Sequence, residues 1–280
     1  VAAAQNEQWQ VGSAPSFSSG TYGTDERTDV IHTPFTARRL FENGDLALVF
    51  PLTCIRGRGD VTVVNGAPVR TEQARSNSGT TSRTSANDSS RRTGSSADST
   101  RSDEAAVTSA AVTAAPVATD CGVGDIIVRG RYYVIDERGW MPTIALRAHV
   151  KTPTASVDRG LGTGRFDEGL GVELSRTLGP GFVAMLDGGY TIIGESADVE
   201  FANSWWYDVG VGQTIRNVVD VSAFYEEYAA IVPGLPGARE LVTALTVKAA
   251  NGWRLQLTGQ LGLSDGAPDH GITVGASRRF

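Results

Sequence analysis

Charged side chains recur at alternate positions along this chain, and that spacing sets the chemistry open to it. Alternation within each strand puts His32, Arg38, Arg129, Arg131, Arg147, His149 and Lys151 on the same face of their strands. Glu173, Asp187, Asp208, Asp220 and Glu226 form an acidic series on the following segments, and Lys248, Arg254 and Arg279 close the set. A period of two places these groups on one face of successive β-strands. Such a face could screen and orient solutes by charge. Other chemistry is poorly supported. Asp269-His270 near Ser264 has the residue types of an acyl-transfer set, but the three histidines are far apart and none has a nucleophile partner. Gly160-Leu161-Gly162-Thr163-Gly164 does not join a strand to a helix, so it is no phosphate cradle. Arg58-Gly59-Asp60 reads as a chance tripeptide in a loop. No Cys/His spacing suggests a metal site. The expectation is a protein that is not an enzyme and carries no cofactor or metal.

The opposite parity is apolar. Trp253, Leu255, Leu257, Leu261 and Leu263 alternate with Arg254, Gln256, Thr258, Gln260 and Gly262, and Ile272, Val274, Ala276 and Phe280 follow suit. A charge facing lipid at mid-membrane costs roughly 2–4 kcal/mol, so a barrel in a membrane would turn the ionic face inward and the greasy face out. Trp9, Phe17, Phe35, Phe50, Tyr132, Phe182, Tyr190, Trp205, Tyr207, Tyr225, Trp253 and Phe280 fall on the greasy face, many near strand ends, where interfacial girdles belong. No stretch approaches the roughly 20 apolar residues of a spanning helix, which leaves strands free to cross.

About twelve strands are expected over residues 1–280, as one transmembrane antiparallel up-and-down β-barrel: Gln8–Ser18, Asp29–Phe41, Asp45–Cys54, Gly124–Ile135, Met141–Lys151, Asp167–Leu178, Phe182–Ile193, Ser204–Ile215, Val219–Ala229, Ala238–Ala249, Trp253–Leu263 and a last strand ending at Phe280. Connections alternate short and long, the habit of outer-membrane barrels. An even count puts both termini on the short-turn, periplasmic side. The terminal aromatic residue, and the small residues of Val1-Ala2-Ala3-Ala4-Gln5 (resembling the tail of a removed signal peptide), fit export to a Gram-negative outer membrane.

Residues 57–122 form a long extracellular insertion between the third and fourth strands. Its 71–119 portion is dominated by Ser, Thr, Ala, Asp and Arg and is read as a mobile surface loop, with a plug in the lumen or a surface tether as alternatives. Cys54 and Cys121 flank it on strands that should be neighbours, so a disulfide stapling its base is expected. The net charge of −6 argues against a nucleic-acid partner. Membrane lipid, lipopolysaccharide and a small-molecule solute are the expected partners, and a surface or periplasmic protein partner stays open.

Ser19-Gly20-Thr21-Tyr22-Gly23, Thr28-Asp29-Val30-Ile31, Pro34, Phe50-Pro51-Leu52, Gly122-Val123-Gly124-Asp125, Lys151-Thr152-Pro153-Thr154-Ala155, the 160–164 glycine run with Asp167, and Asp265-Gly266-Ala267-Pro268-Asp269-His270-Gly271 occur in that order. This series resembles a family of bacterial outer-membrane proteins known as transporters or as "putative MetA-pathway of phenol degradation". The resemblance covers most of the chain outside 61–120. It implies an outer-membrane barrel that passes aromatic or other small organic molecules, and offers no catalytic residues to carry over. The long Ser/Thr insertion and Arg278 depart from the family pattern. The reading is a porin-like channel for passive passage of small solutes, with Arg129, Arg131, Arg147 and Lys151 facing Asp187, Asp208 and Glu226. The alternative is a barrel that anchors the Ser/Thr-rich loop or a partner at the outer membrane.

Overall fold

In a computed structural model that describes residues 8–64, 66–71, 117–195 and 200–280, sixteen strands follow one another in the order β1 (Trp9–Ser13), β2 (Ser16–Gly20), β3 (Thr28–Phe41), β4 (Gly44–Gly57), β5 (Val61–Val64), β6 (Ala67–Arg70), β7 (Ala118–Val123), β8 (Ile127–Ile135), β9 (Thr143–Lys151), β10 (Asp167–Gly179), β11 (Phe182–Ile193), β12 (Ser204–Ile215), β13 (Val219–Tyr228), β14 (Ala238–Lys248), β15 (Trp253–Gly262) and β16 (His270–Arg279). Fourteen of them form one closed antiparallel sheet. They make twelve staves. β1 and β2 share a stave between β16 and β3, and β7 and β8 share one beside β4. Strands of about 10 residues tilted in this way cross the ~25 Å apolar band of an outer membrane, and closure removes every sheet edge from lipid. No helix among the described residues is long and apolar enough to cross a membrane, which says nothing against strands doing so.

Two expected strands are each divided. Gln8–Ser18 breaks at Ala14-Pro15, because proline has no N–H for the ladder. The strand expected to start at Gly124 begins at Ala118 and is interrupted over 124–126, where Asp125 turns to a buried partner described below. The expected turns at Arg216-Asn217 and Asn251-Gly252 take positive φ at both residues, 51° and 57° in the first and 58° and 77° in the second. That is the primed geometry that matches strand twist in a two-residue hairpin.

The greasy parity faces outward. Leu46, Leu48, Phe50 and Leu52 are exposed along β4, as are Leu255, Leu257 and Leu261 along β15. The apolar core proper is small and sits inside the long-loop mouth. Val30, Ile55, Val63, Ala155 and Leu161 form one cluster. Val64, Ile193, Ile231 and Val232, with Val69, Phe201 and Leu235 against them, form a second. Both clusters draw on the β5–β6 hairpin. Sequence reasoning assigned no element to that stretch. It opens the 57–122 insertion, and instead of leaving the rim it turns back into the mouth, because its valines are more apolar than a solvent loop tolerates. The 71–119 expectation lies almost wholly outside the described residues. Cys54 and Cys121 are register partners on β4 and β7 and are disulfide-bonded. By the chain-entropy model, closing a loop of sequence separation 67 contributes about 4 kcal/mol.

Candidate functional site

The hairpin is held from two sides. Gly160 O accepts hydrogen bonds from the Val63 amide (3.2 Å) and from Thr62 Oγ1 (2.8 Å). Across the mouth, Val64 meets the loops that follow β11 and β13. Gly66 lies against the inward His32, whose ring nitrogen Nδ1 is 3.0 Å from Thr53 Oγ1. The hairpin therefore bridges the mouth and narrows it.

Gly160 belongs to the 152–166 loop, and a buried ionic knot fixes that loop. Lys151 is fully buried and its ammonium meets Asp167 Oδ2 at 2.8 Å, Asp125 Oδ2 at 3.1 Å and Thr163 Oγ1 at 2.6 Å. The two carboxylate contacts are ion pairs and the Thr163 contact is a hydrogen bond. The other carboxylate oxygens are also used: Asp125 Oδ1 accepts the Ala155 amide and Asp167 Oδ1 the Gly194 amide. A Cβ at Gly162 would stand 2.5 Å from Asp125 Oδ2 and 2.7 Å from the Ala155 Cβ, so glycine is required there. The Lys-Thr-Pro-Thr-Ala run and the glycine run are parts of one structural device.

Below the hairpin the lumen opens into a cavity of about 480 Å³, within the size range of small-molecule sites. Arg129, Arg147 and His149 line one side; Asp208, Glu226, Tyr228 and Glu240 line the other; Val64 and Val69 of the hairpin roof it. Trp206 turns inward and lies across the wall where Gly171 and Gly189 leave room: a Cβ at either would come within 3.0 Å of its ring. The Arg147 guanidinium stands 5.5 Å from the Trp206 ring centroid and is ion-paired with Asp187. A second cavity of about 280 Å³, lower in the lumen, is lined by Arg38 and Arg254 among polar groups.

Of the charges predicted for the wet face, His32, Arg129, Arg147, His149, Asp208 and Glu226 line the upper cavity and Arg38 and Arg254 the lower one, yet the predicted charges do not act alike. Arg131 bridges Asp45 (3.5 Å) and Glu173 (3.3 Å), Arg38 meets Asp45 (3.5 Å), and Lys248 meets Asp220 (2.9 Å). Pairing between neighbouring staves cancels much of the expected transverse field. Lys151 contributes nothing to the lumen surface, since the knot seals it. Among the described residues, Arg129, Asp208, Glu226 and Glu240 have no ion-pair partner; Glu226 accepts the Tyr228 hydroxyl at 3.4 Å and Glu240 the Gln260 amide. Outside the membrane-spanning strands, burial pushes the Tyr22 phenol of the 21–27 loop well above its ordinary range, so it stays protonated.

Sequence reasoning missed Asp45 and Glu240, and it met Asp125 and Asp167 only as motif positions without a role. Parity could have found Glu240, which is in phase with Lys248, and Asp45, in phase with the core-facing Ala47 and Val49. Trp206 was hidden because adjacent Trp205 and Tyr207 drew attention to the lipid face. Of the expected girdle residues, Trp9, Trp205, Trp253 and Phe280 are all exposed, and Trp205 stacks on Tyr207 with ring centroids 5.9 Å apart.

These features define a twelve-stave transmembrane β-barrel of the outer-membrane kind. The sequence profile of "Putative MetA-pathway of phenol degradation" matches residues 80–280, and the chain belongs to that family. In structure it is similar to an outer-membrane channel from Pseudomonas putida F1, at 12% identity with a TM-score of 0.60 and all of both chains covered. It is also similar to the porin NanC, at 9% identity with a TM-score of 0.52, covering 96% of this chain and 100% of the other. At these identities the likeness concerns fold. The sequence matches no curated protein.

Proposed function

We propose that this barrel is a passive outer-membrane channel for small organic solutes, with both termini in the periplasm and the β5–β6 hairpin setting its narrowest passage. The observation that carries the reading is the cavity of about 480 Å³ beneath the hairpin, lined by charged residues on two sides and by apolar hairpin residues above. A barrel with only a structural role would fill this space with side chains or paired charges. Diffusion through the lumen needs no catalytic group; selection comes from width and fixed charge. The selectivity-setting residues are Arg129 against Asp208, Glu226 and Glu240. The paired Arg131, Arg147, Asp187, Lys248 and Asp220 shape the wall. Aromatic solutes, as the family's name suggests, would lie against Trp206 and Tyr228. Lipid and lipopolysaccharide surround the outer face.

Planar-bilayer recording of the purified protein tests this. Replacing Val61–Arg70 by a short flexible link, with the Cys54–Cys121 bridge intact, should raise single-channel conductance. Insertion without conductance in both forms would overturn the channel. R129E should shift ion selectivity toward cations, and E226Q with E240Q should shift it toward anions.

A further inference from the structure

The carboxylates of Asp208, Glu226 and Glu240 stand side by side. Asp208 and Glu226 are register partners, as are Glu226 and Glu240. Alone they would favour a simple cation. Two further features of the cavity change that expectation. Arg129 lies on the fourth stave and Glu240 on the tenth, so they face each other across a barrel of twelve, and both line the same space. Arg129 has no acidic partner among the described residues, although the neighbouring Arg131 and Arg147 are both paired. The lining also carries an apolar and aromatic patch, Val64 and Val69 of the hairpin with Trp206, among polar groups that include Arg70 and His32.

From this arrangement we infer that the cavity selects amphipathic zwitterions, small molecules with an ammonium at one end, a carboxylate at the other and an apolar body between. The inference rests on the channel reading for its biological use. A lone cation leaves Arg129 without a counter-charge. A lone anion at Arg129 leaves the three carboxylates without a counter-charge. A neutral aromatic covers the apolar patch and leaves both charged walls to water. A zwitterion with separated ends answers all three. Its carboxylate takes the planar fork of Arg129, and its ammonium takes the Glu226 and Glu240 carboxylates. Its ring lies under the hairpin valines and beside Trp206.

The test compares four probes built on one ring: 4-(aminomethyl)benzoate, benzoate, benzylamine and benzyl alcohol. Binding to the full-length protein in detergent is read by calorimetry and by tryptophan fluorescence, and conductance is recorded separately in planar bilayers. The zwitterion should bind about tenfold or more tightly than any of the other three, the gain of a second charge-assisted contact. R129Q should remove its advantage over benzylamine, and E226Q with E240Q its advantage over benzoate. Equal binding of benzylamine and the zwitterion to the wild type overturns the inference, and that comparison needs no variant to fold. Conductance without zwitterion preference overturns the site and leaves the channel. Zwitterion preference in a barrel that does not conduct upholds the site and removes the channel reading.

Discussion

Two groups of charges inside this barrel use the same residue types to opposite effect. Around Lys151 two carboxylates and a hydroxyl close on one ammonium, with both carboxylates ion-paired to it and the ammonium sealed from water. Around the cavity Arg129 faces Asp208, Glu226 and Glu240, and none of these four is ion-paired among the described residues, although the neighbouring Arg147 is paired with Asp187. The knot lies at the rim, where the Thr152–Phe166 loop must be held against its own entropy. The cavity lies on the path that a solute would take. Matched charge builds the wall and its loops; unmatched charge, left wet, is available to a visitor. A barrel that must resist detergent-like surroundings and still recognise a solute needs both kinds of site, and keeping them apart lets each be tuned alone.

The strongest way to break this contrast is to remove the ammonium of the knot. K151M leaves Asp125 and Asp167 buried without a counter-charge, a loss expected at about 3–5 kcal/mol. It should lower the temperature of the heat-modifiable gel shift and raise conductance, because the loop that holds the β5–β6 hairpin loses its anchor. The triple variant K151M with D125N and D167N should recover part of the stability, since no naked charge then remains. Failure of the single variant to lower the transition would show that the knot is not a structural device. Opening the disulfide should have the next largest effect. C54S with C121S removes up to about 4 kcal/mol by loop entropy alone. It should do so without changing ion selectivity, because Cys54 is in phase with the lipid-facing Leu52 on β4. R129Q sits at the other pole. Its stability change should stay within about 0.5 kcal/mol, as for a solvated group outside any buried network, while its reversal potential in a salt gradient moves toward cation preference. A large stability loss in R129Q would place it in the wall rather than in the passage.

The barrel itself was legible in the sequence because a period of two runs along most of its strands. Charge on the outer face is rare and is held when present, as Glu227 is by the Tyr207 and Tyr225 hydroxyls, so parity could be read strand by strand, and placement of Arg129, Arg147, Asp208 and Glu226 on the cavity wall followed. Pairing was not legible. Whether an inward Arg meets an inward Asp depends on shear between staves, which alternation does not encode; Arg147 opposes Gly171 in register yet pairs with Asp187 two staves away. The hairpin was not legible either. Val61–Val64 is too short for a periodic signal, and its apolar surface is satisfied by residues more than 90 positions distant, such as Leu161 and Ile231. The Lys151 motif stood out as a run of residues, but its meaning needed Asp125 and Asp167, one before it and one after, to converge.

Lys248 and Asp220 offer the finest test of whether burial, rather than pairing, separates the two regions. This pair is as close as that of the knot, 2.9 Å against 2.8 Å for Lys151 and Asp167. Its side chains are 34% and 33% exposed, whereas both members of the knot pair are at 0%. Asp220 also keeps the Thr214 hydroxyl at 2.8 Å when the lysine is lost. Water and that hydroxyl can take over from the ammonium, so the pair behaves as a solvated one, and K248M should cost about 1 kcal/mol or less. The transition temperatures of K151M and K248M, measured side by side in the same detergent, should therefore differ severalfold in their displacement from wild type. Equal displacements would mean that the lower lumen is as dry as the knot, and the division between structural and solute-facing charge would then have to be drawn at the upper cavity alone.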